Sequence, residues 1–154
     1  MLAGGFASGL VVWSLTNAVL VWPNGICYTN ELFGGTNAGY HALCDSNYDW
    51  GQGLPELAGW HGKHPDAPLH VWYFGTDPSV GRPPFHAISF GSSSEGADVE
   101  RYCDGGYLAV STTLTYGAFF DTPIARYLQG IEPCGRTTTF LIYDFTQAKS
   151  QARR

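Results

Sequence analysis

The segment LPELAGWHGKHPDAPLHVWYFG, residues 54–75, decides the fold. Its first half spaces apolar residues as on one face of a helix and carries Pro55 where a first helical turn accepts proline. It therefore predicts a short helix that begins near Leu54 and ends by Gly62. Its second half, residues 69–74, is rich in aromatic side chains and stops at a glycine, which predicts a buried strand. A helix followed by a buried strand indicates an α/β domain.

The same signals extend the α/β pattern over residues 38–146. An N-cap residue followed by proline, in the sequence DTP at residues 121–123, predicts a second short helix. The stretch GSSSEGADVE, residues 91–100, is predicted to be a surface loop. Further strands are predicted over residues 38–44, 86–90, 107–116 and 137–145. The pattern predicts a small layered α/β domain of about four strands and two short helices, followed by a disordered tail over residues 147–154.

The composition limits the range of functions. The chain has 154 residues, the length of one domain, and a formal net charge of −5. Its lysines and arginines do not cluster outside the terminal pair Arg153-Arg154, so nothing in the sequence could neutralise a row of phosphates. The glycine motifs of dinucleotide and phosphate sites are absent from the sequence, as is the G-x-S-x-G motif of hydrolases. We therefore predict no nucleic-acid partner and no cofactor, and we assign no catalytic residue.

The N-terminal 30 residues contain no charged side chain. Within them, residues 1–22 form an apolar stretch interrupted by small polar residues, and a turn signal follows at Pro23. About 20 apolar residues suffice for a membrane-spanning helix. We therefore interpret residues 1–22 as a membrane-spanning helix. A buried helix of a soluble domain and a secretory signal peptide remain open, although the basic start of a signal peptide is missing. Residues 23–37 would connect this helix to the α/β domain.

The segment DSNYDWGQGLPE, residues 45–56, precedes the first predicted helix and has three interpretations. By count it matches a calcium loop, with oxygen side chains at positions 1, 3, 5 and 12. However, Trp50 stands where that loop needs glycine, and Pro55 stands where its exiting helix should run. The polar residues would also serve as turn and cap residues, with Asp49 and Gln52 spaced as in a capping box. In the third interpretation, the loop binds sugar hydroxyls against an indole face.

The cysteines and histidines do not predict a metal site. The four cysteines lie far apart without a CxxC pair, which excludes a zinc-finger framework, and we expect buried thiols. His61 and His64 would need a third ligand, and no candidate is near them in the sequence, so we expect both to be exposed to solvent. The cysteines are Cys27, Cys44, Cys103 and Cys134.

Several blocks of the chain resemble one protein family. They are Tyr28-x-Asn30-Glu31-Leu32-x-Gly34-Gly35, Gly39-Tyr40, DSNxDWGQ at residues 45–52, Tyr73-Phe74-Gly75, GYLAVS at residues 106–111, and Glu132-Pro133. In this order and spacing they resemble the C-terminal region of bacterial glycosyltransferase family 39-like membrane proteins, relatives of the dolichyl-phosphate-mannose–protein mannosyltransferases. The resemblance runs from about residue 10 to residue 145, nearly the whole chain.

The resemblance implies a last transmembrane helix followed by a domain on the extracytoplasmic face of the membrane. The family moves a sugar from a polyprenyl-phosphate donor to an acceptor, and its catalytic acidic residues lie in an early loop that has no counterpart here. We therefore expect a non-catalytic, membrane-tethered domain or fragment that helps to position glycan or acceptor. Its expected partners are the lipid bilayer, a glycan, or the missing transmembrane part of a glycosyltransferase. The alternative is an independent extracytoplasmic glycan- or calcium-binding module.

The candidate ligand-binding residues come from the connector and from the loop before the first predicted helix. In the family that the chain resembles, position 56 is variable, so Glu56 is not expected to be the twelfth ligand of a calcium loop. No metal site is therefore predicted. The candidates are Asn30, Glu31, Asp45, Asn47, Asp49, Trp50 and Gln52.

Overall fold

The computed structural model of the chain describes residues 2–44, 48–117 and 121–147. The helices are α1 (Leu2–Leu20), α2 (Gly35–Ala38), α3 (Leu54–His61), α4 (Gly96–Tyr102), α5 (Thr112–Tyr116) and α6 (Pro123–Gln129). The strands are β1 (Leu69–Trp72), β2 (Phe85–Ile88), β3 (Tyr107–Ser111), β4 (Gly135–Arg136) and β5 (Phe140–Asp144). Short 3-10 turns lie at Gly25–Cys27, Glu31–Phe33, Gly39–His41 and Pro78–Gly81.

The strands form one mixed sheet in the order β2-β1-β3-β5-β4. β1 is parallel to β2 and β3, whereas β5 is antiparallel to β3 and β4. From β1 the chain moves to β2 on one side and then crosses to β3 on the other side. The ends of β1 and β3 therefore meet the start of β5 at one edge of the sheet, which we call the carboxyl edge. The predicted α/β class is confirmed within the described residues, and the sheet has one strand, β4, that the sequence does not predict.

Helices cover both faces of this sheet. Leu69 and Val71 of β1 pack in one cluster with Leu57 of α3, and all three side chains are buried. On the opposite face, Leu108 of β3 belongs to a second cluster with Val99 of α4. Burial of each such side chain stabilises the fold by about 1.5–3 kcal/mol. Successive strand side chains point alternately into the two clusters. The domain therefore has three layers, with the sheet between helices.

Both helices predicted from local signals are present. α3 begins at Leu54 with Pro55 in its first turn, and it ends at His61. α6 begins at Pro123, and the Thr122 hydroxyl oxygen accepts the backbone N–H of Ala125 at 3.1 Å. Cap residues and first-turn prolines act within one helical turn, so these starts can be predicted without knowledge of the tertiary structure.

Residues 38–44 do not form the predicted strand. Gly34 and Gly35 adopt positive φ angles of 97° and 59°, which turn the chain into α2 and the 3-10 turn after it. The backbone N–H of Leu43 donates to the Gly39 carbonyl at 2.8 Å. Local turns thus satisfy backbone groups that a sheet would otherwise pair.

The strand predicted over residues 107–116 ends at Ser111, and the chain continues as α5. Val110 and Leu114 are both buried. Their separation of four residues suits a helix as well as a strand with period two, so periodicity alone does not define the boundary.

α4 lies partly within the segment predicted as a surface loop, residues 91–100. Glu95 and Asp98 form a reciprocal capping box, in which each carboxylate accepts the backbone N–H of the other residue. The Asp98 carboxylate accepts the Glu95 N–H at 3.0 Å. The serines and glycines around this signal obscure it in the sequence.

α1 covers most of the apolar N-terminal stretch. Its large apolar side chains between Leu10 and Leu20 are 52–75% exposed. In the part of the chain that the structure describes, no helix is both long and apolar enough to cross a membrane, so the transmembrane helix predicted over residues 1–22 is not supported. The predicted disordered tail falls mostly on residues 148–154, which lie outside the described residues.

The cysteines differ from one another in burial. Cys27 and Cys103 are buried as predicted, and burial raises the pKa of the Cys103 thiol to about 12. Cys44 is half-buried, and Cys134 is exposed, so the prediction of buried thiols is wrong for Cys134. Cys134 lies in the connection between α6 and β4, outside the layers that bury Cys103.

Candidate functional site

The loop of residues 49–53, DWGQG, lies across the carboxyl edge and leads directly into α3. A β-carbon on Gly51 would come within 3.3 Å of the Tyr73 hydroxyl oxygen, just after β1. A β-carbon on Gly53 would collide with the Thr139 hydroxyl oxygen, just before β5. The DWGQG loop thus spans the topological switch point between β1 and β3, where open α/β sheets bind their ligands.

Asp49 holds this loop in place from the inside. Its side chain is 1% exposed, and its Oδ1 accepts the backbone N–H of Gly51 at 2.9 Å. Burial raises the pKa of the Asp49 carboxyl, and the nearby N–H groups of Gly51 and Gly53 and the Thr139 hydroxyl oppose this effect. Asp49 is therefore a buried turn residue, out of reach of a ligand in solution.

Three polar atoms beneath the DWGQG loop make no hydrogen bond of normal geometry to the described residues. They are Asp49 Oδ2, Tyr73 Oη and Thr139 Oγ1, and all three atoms are buried. Burial, together with the Asp49 charge, raises the pKa of Tyr73 to about 12, so its hydroxyl stays neutral. Such atoms are uncommon in native structures, because leaving a buried polar group unpaired costs about 1–3 kcal/mol.

Gln52 closes the loop onto the connector. Its Nε2 donates to the Tyr48 carbonyl at 3.0 Å and to Cys27 Sγ at 3.4 Å, and its Oε1 accepts the Trp50 N–H at 2.8 Å. The predicted capping box of Asp49 and Gln52 is therefore wrong, since the N-cap residue of α3 is Gly53 and has no side-chain cap. The Asp49 side chain thus bonds within the loop, and the Gln52 side chain bonds within the loop and to Cys27 of the connector.

Trp50 differs from its neighbours because its side chain is 59% exposed, whereas the other described residues from 48 to 54 are buried or half-buried. Asp77 lies beside the next residue, Gly51, since a β-carbon on Gly51 would be 3.2 Å from Asp77 Oδ2. The Asp77 Oδ1 accepts the Ser79 N–H at 2.8 Å, and this bond lowers the pKa of the Asp77 carboxyl. An exposed indole and an ionised carboxylate thus flank Gly51.

Sequence reasoning missed Asp77. The sequence signal for Asp77 is the pair Asp77-Pro78 after the strand, because an N-cap residue is often followed by a first-turn proline. In the structure, Asp77 caps the turn Pro78–Gly81. The pair predicts a turn, but it does not predict that the turn lies against the DWGQG loop.

The remaining predicted site residues do not join this group. Asn30 lies in an exposed turn of the connector, where its Oδ1 accepts the Leu32 N–H at 3.1 Å. The backbone of Glu31 lies in the same turn. Asp45 and Asn47 lie outside the described residues. The structure therefore brings together Asp49, Trp50 and Gln52, and only the Trp50 side chain of these is well exposed.

The calcium interpretation finds no support in the described part of the site. The Glu56 carboxylate, which would be the twelfth ligand, accepts the Thr138 N–H at 3.0 Å and holds the turn between β4 and β5. Ring nitrogens of His61 and His64 lie 3.0 and 2.9 Å from the carbonyls of Ala67 and Trp60. Among the described residues there is no group of three or more histidine, cysteine or acidic side chains that could hold a metal ion.

The described residues of this site are suited to binding. Asp49 and the Tyr73 hydroxyl are buried, whereas the exposed indole of Trp50 and the half-buried carboxylate of Asp77 offer an apolar face and a hydrogen-bond acceptor next to Gly51. No protein-family model, curated protein or solved structure matches this chain.

Proposed function

We propose that this chain is a non-catalytic, membrane-tethered domain on the extracytoplasmic face, which works beside the membrane-embedded part of a polyprenyl-phosphate-sugar-dependent glycosyltransferase. The observation that carries the proposal is α1, an uncharged helix whose large apolar side chains between Leu10 and Leu20 are 52–75% exposed and which is joined to a folded α/β domain by the connector. An uncharged helix with exposed apolar side chains is more stable when lipid or other apolar helices cover those side chains.

The energetic argument for the tether is simple. Full burial of a valine or leucine side chain is worth about 1.5–3 kcal/mol, and α1 carries several such side chains in the open. No charged side chain in α1 opposes contact with lipid. An apolar layer of lipid would cover this surface.

The assignment to a glycosyltransferase rests on the sequence resemblance, and two of the resembling blocks contact each other in the fold. Two of the resembling blocks, DSNxDWGQ and Tyr73-Phe74-Gly75, are separated in sequence, yet Gly51 of the first packs near the Tyr73 hydroxyl of the second. A β-carbon on Gly75 would collide with the same hydroxyl. Both blocks therefore take part in one local packing arrangement.

Vesicle flotation tests the tether. We expect the intact chain to float with phosphatidylcholine vesicles and a variant with Val12→Lys and Leu15→Lys to remain in the aqueous fraction, since charged side chains oppose burial in lipid. Tyr102→Lys on α4 is the matched control, because Tyr102 is similarly exposed on the domain, and it should float. An intact chain that stays in the aqueous fraction would contradict the tether.

A glycan contact at Trp50 is the second candidate function. Its basis is the exposed indole on a loop whose neighbouring side chains bond inward, with the ionised Asp77 carboxylate near Gly51. An indole face covers the apolar side of a sugar ring, and a carboxylate accepts bonds from its hydroxyls.

Saturation-transfer NMR with neutral hexose oligosaccharides tests this contact. We expect transfer to the intact chain and to Trp22→Ala, which removes another exposed indole, and loss of transfer in Trp50→Ala. Transfer that survives in Trp50→Ala, or no transfer to the intact chain, would rule out a glycan contact at Trp50.

A further inference from the structure

A second apolar surface adjoins the C-terminal end of α1. We call it the connector surface, and its residues are Trp22, Ile26, Leu32, Phe33 and Leu43, all exposed. Leu32 is 93% exposed, so almost none of its side chain is covered by the protein. A single exposed leucine is ordinary, but five large apolar side chains exposed within residues 22–43 indicate an interaction surface.

Tyr28 joins the connector surface to α1. It lines a groove against α1 together with Trp13 and Val21. It also lines a cleft of about 400 Å³ together with Phe33 and Leu43. The two apolar surfaces are therefore continuous, and an environment that covers the last turns of α1 would also reach the connector.

A hydrogen-bonded turn holds Leu32 and Phe33 outward. The Asn30 side chain accepts the Leu32 N–H at 3.1 Å, and the Asn30 carbonyl accepts the Phe33 N–H at 2.9 Å. The Thr29 hydroxyl donates to the carbonyls of Phe33 and Gly35 at 3.2 and 2.9 Å. The turn is thus fixed by its own polar groups, and its two large apolar side chains stay out of the core.

The residue types of this surface match a lipid interface. Glu31 is the only aspartate, glutamate, lysine or arginine among residues 1–44, so this part of the chain lacks the charged side chains that surround the apolar centre of most protein interfaces. Tryptophan and tyrosine, here Trp22 and Tyr28, are enriched where a membrane meets water. Large apolar side chains next to them enter the boundary between headgroups and acyl chains.

We propose that the connector surface lies in the interfacial layer of the bilayer, with Leu32 and Phe33 among the acyl chains. The inference rests on the proposed function, since α1 brings the connector to the membrane. It adds a second contact with lipid, which fixes how the α/β domain sits on the membrane.

A depth-sensitive fluorescent label tests the proposal in the intact chain. In a background with Cys44→Ser and Cys134→Ser, Leu32→Cys is labelled with NBD and reconstituted in phosphatidylcholine vesicles. Tyr102→Cys is the control, because Tyr102 is exposed on α4 of the α/β domain and is not part of the connector surface. The background variant without an added cysteine measures any labelling of the buried Cys27 and Cys103.

We expect the label at position 32 to shift to the blue and to lose most of its emission when the vesicles contain doxyl-labelled lipid, and the label at position 102 to do neither. If the chain floats with vesicles but position 32 is not quenched, the connector surface faces water or protein and this inference fails alone. A blue shift without lipid quenching would indicate a second copy of the chain as the occupant and overturn it. Failure to float overturns the tether itself, so the two failures are distinguishable.

Discussion

Gly53 of the DWGQG loop lies so close to Thr139 that a β-carbon on the glycine would collide with the threonine hydroxyl oxygen. The contact joins the start of α3 to the start of β5, two segments far apart in the sequence. Gly53 has a φ of −78°, which any residue can adopt, so steric crowding is the reason for glycine at this position. Much of the DWGQG sequence is thus explained by close packing of the loop on the sheet.

The first prediction concerns this contact. We expect Gly53→Ala to lower the free energy of unfolding by about 1–3 kcal/mol, the range for overpacking a closed site. Gly59→Ala, also in α3, is the matched control, because a β-carbon there meets no atom within 4 Å and alanine favours a helix by about 1 kcal/mol. Denaturation curves in a mild detergent measure both variants. Equal stability of the two would show that the loop is not packed on Thr139.

The second prediction concerns the raised pKa of Asp49. Because the folded state binds its proton more tightly than the unfolded state, this group contributes stability that is present at low pH and is lost as the pH rises from the ordinary value near 3.8 through the folded pKa. The pKa of Asp77 is lowered, so Asp77 contributes stability that is lost as the pH falls below the ordinary value near 3.8. The pH range in which Asp77 changes the stability therefore lies below the range in which Asp49 does. We expect Asp49→Asn to remove the loss of stability above pH 3.8.

Urea denaturation at a series of acidic pH values measures this effect as the difference between the wild-type chain and Asp49→Asn. Subtraction cancels the other carboxyl groups, since both proteins share them. A difference that does not change with pH in this window would mean that the Asp49 carboxyl titrates alike in the folded and unfolded chain.

The third prediction concerns the hydroxyl of Tyr73. Tyr73→Phe removes a buried polar atom that makes no hydrogen bond of normal geometry to the described residues, so we expect the free energy of unfolding to stay unchanged or to rise by up to about 1 kcal/mol. Tyr48→Phe is the control, because the Tyr48 hydroxyl donates to the Thr36 carbonyl at 3.2 Å and its loss should cost about 1 kcal/mol. A clear loss of stability in Tyr73→Phe would reveal a partner for that hydroxyl.

The fourth prediction separates the two roles within the DWGQG loop. Gln52→Ala removes the bonds to Tyr48, Cys27 and the Trp50 N–H, and we expect it to lower the free energy of unfolding by about 1–3 kcal/mol. Trp50→Ala removes an exposed side chain and should change stability by less than about 0.5 kcal/mol. Thermal melts measure both, and a large loss in Trp50→Ala would make Trp50 a packing residue and weaken its role in glycan binding.

The candidate site was predictable from the sequence in part. Asp49, Trp50 and Gln52 are close in sequence, so their membership in one loop follows from the predicted start of α3 at Leu54. Their directions do not follow, because whether a side chain faces water depends on the surface beneath the loop. Asp77 joins the group through packing against Gly51, a contact between distant segments that local spacing cannot predict.

The amino-acid sequence by itself determined the α/β class, the starts of α3 and α6, and the uncharged N-terminal helix, because each depends on signals within a few neighbouring residues. Only the tertiary structure decided that β5 runs antiparallel beside β3 and that residues 107–116 divide between a strand and a helix. It also decided that Asp49 is buried whereas Trp50 is exposed. Strand pairing and burial depend on which distant surfaces meet, and periodicity along the chain does not contain that information.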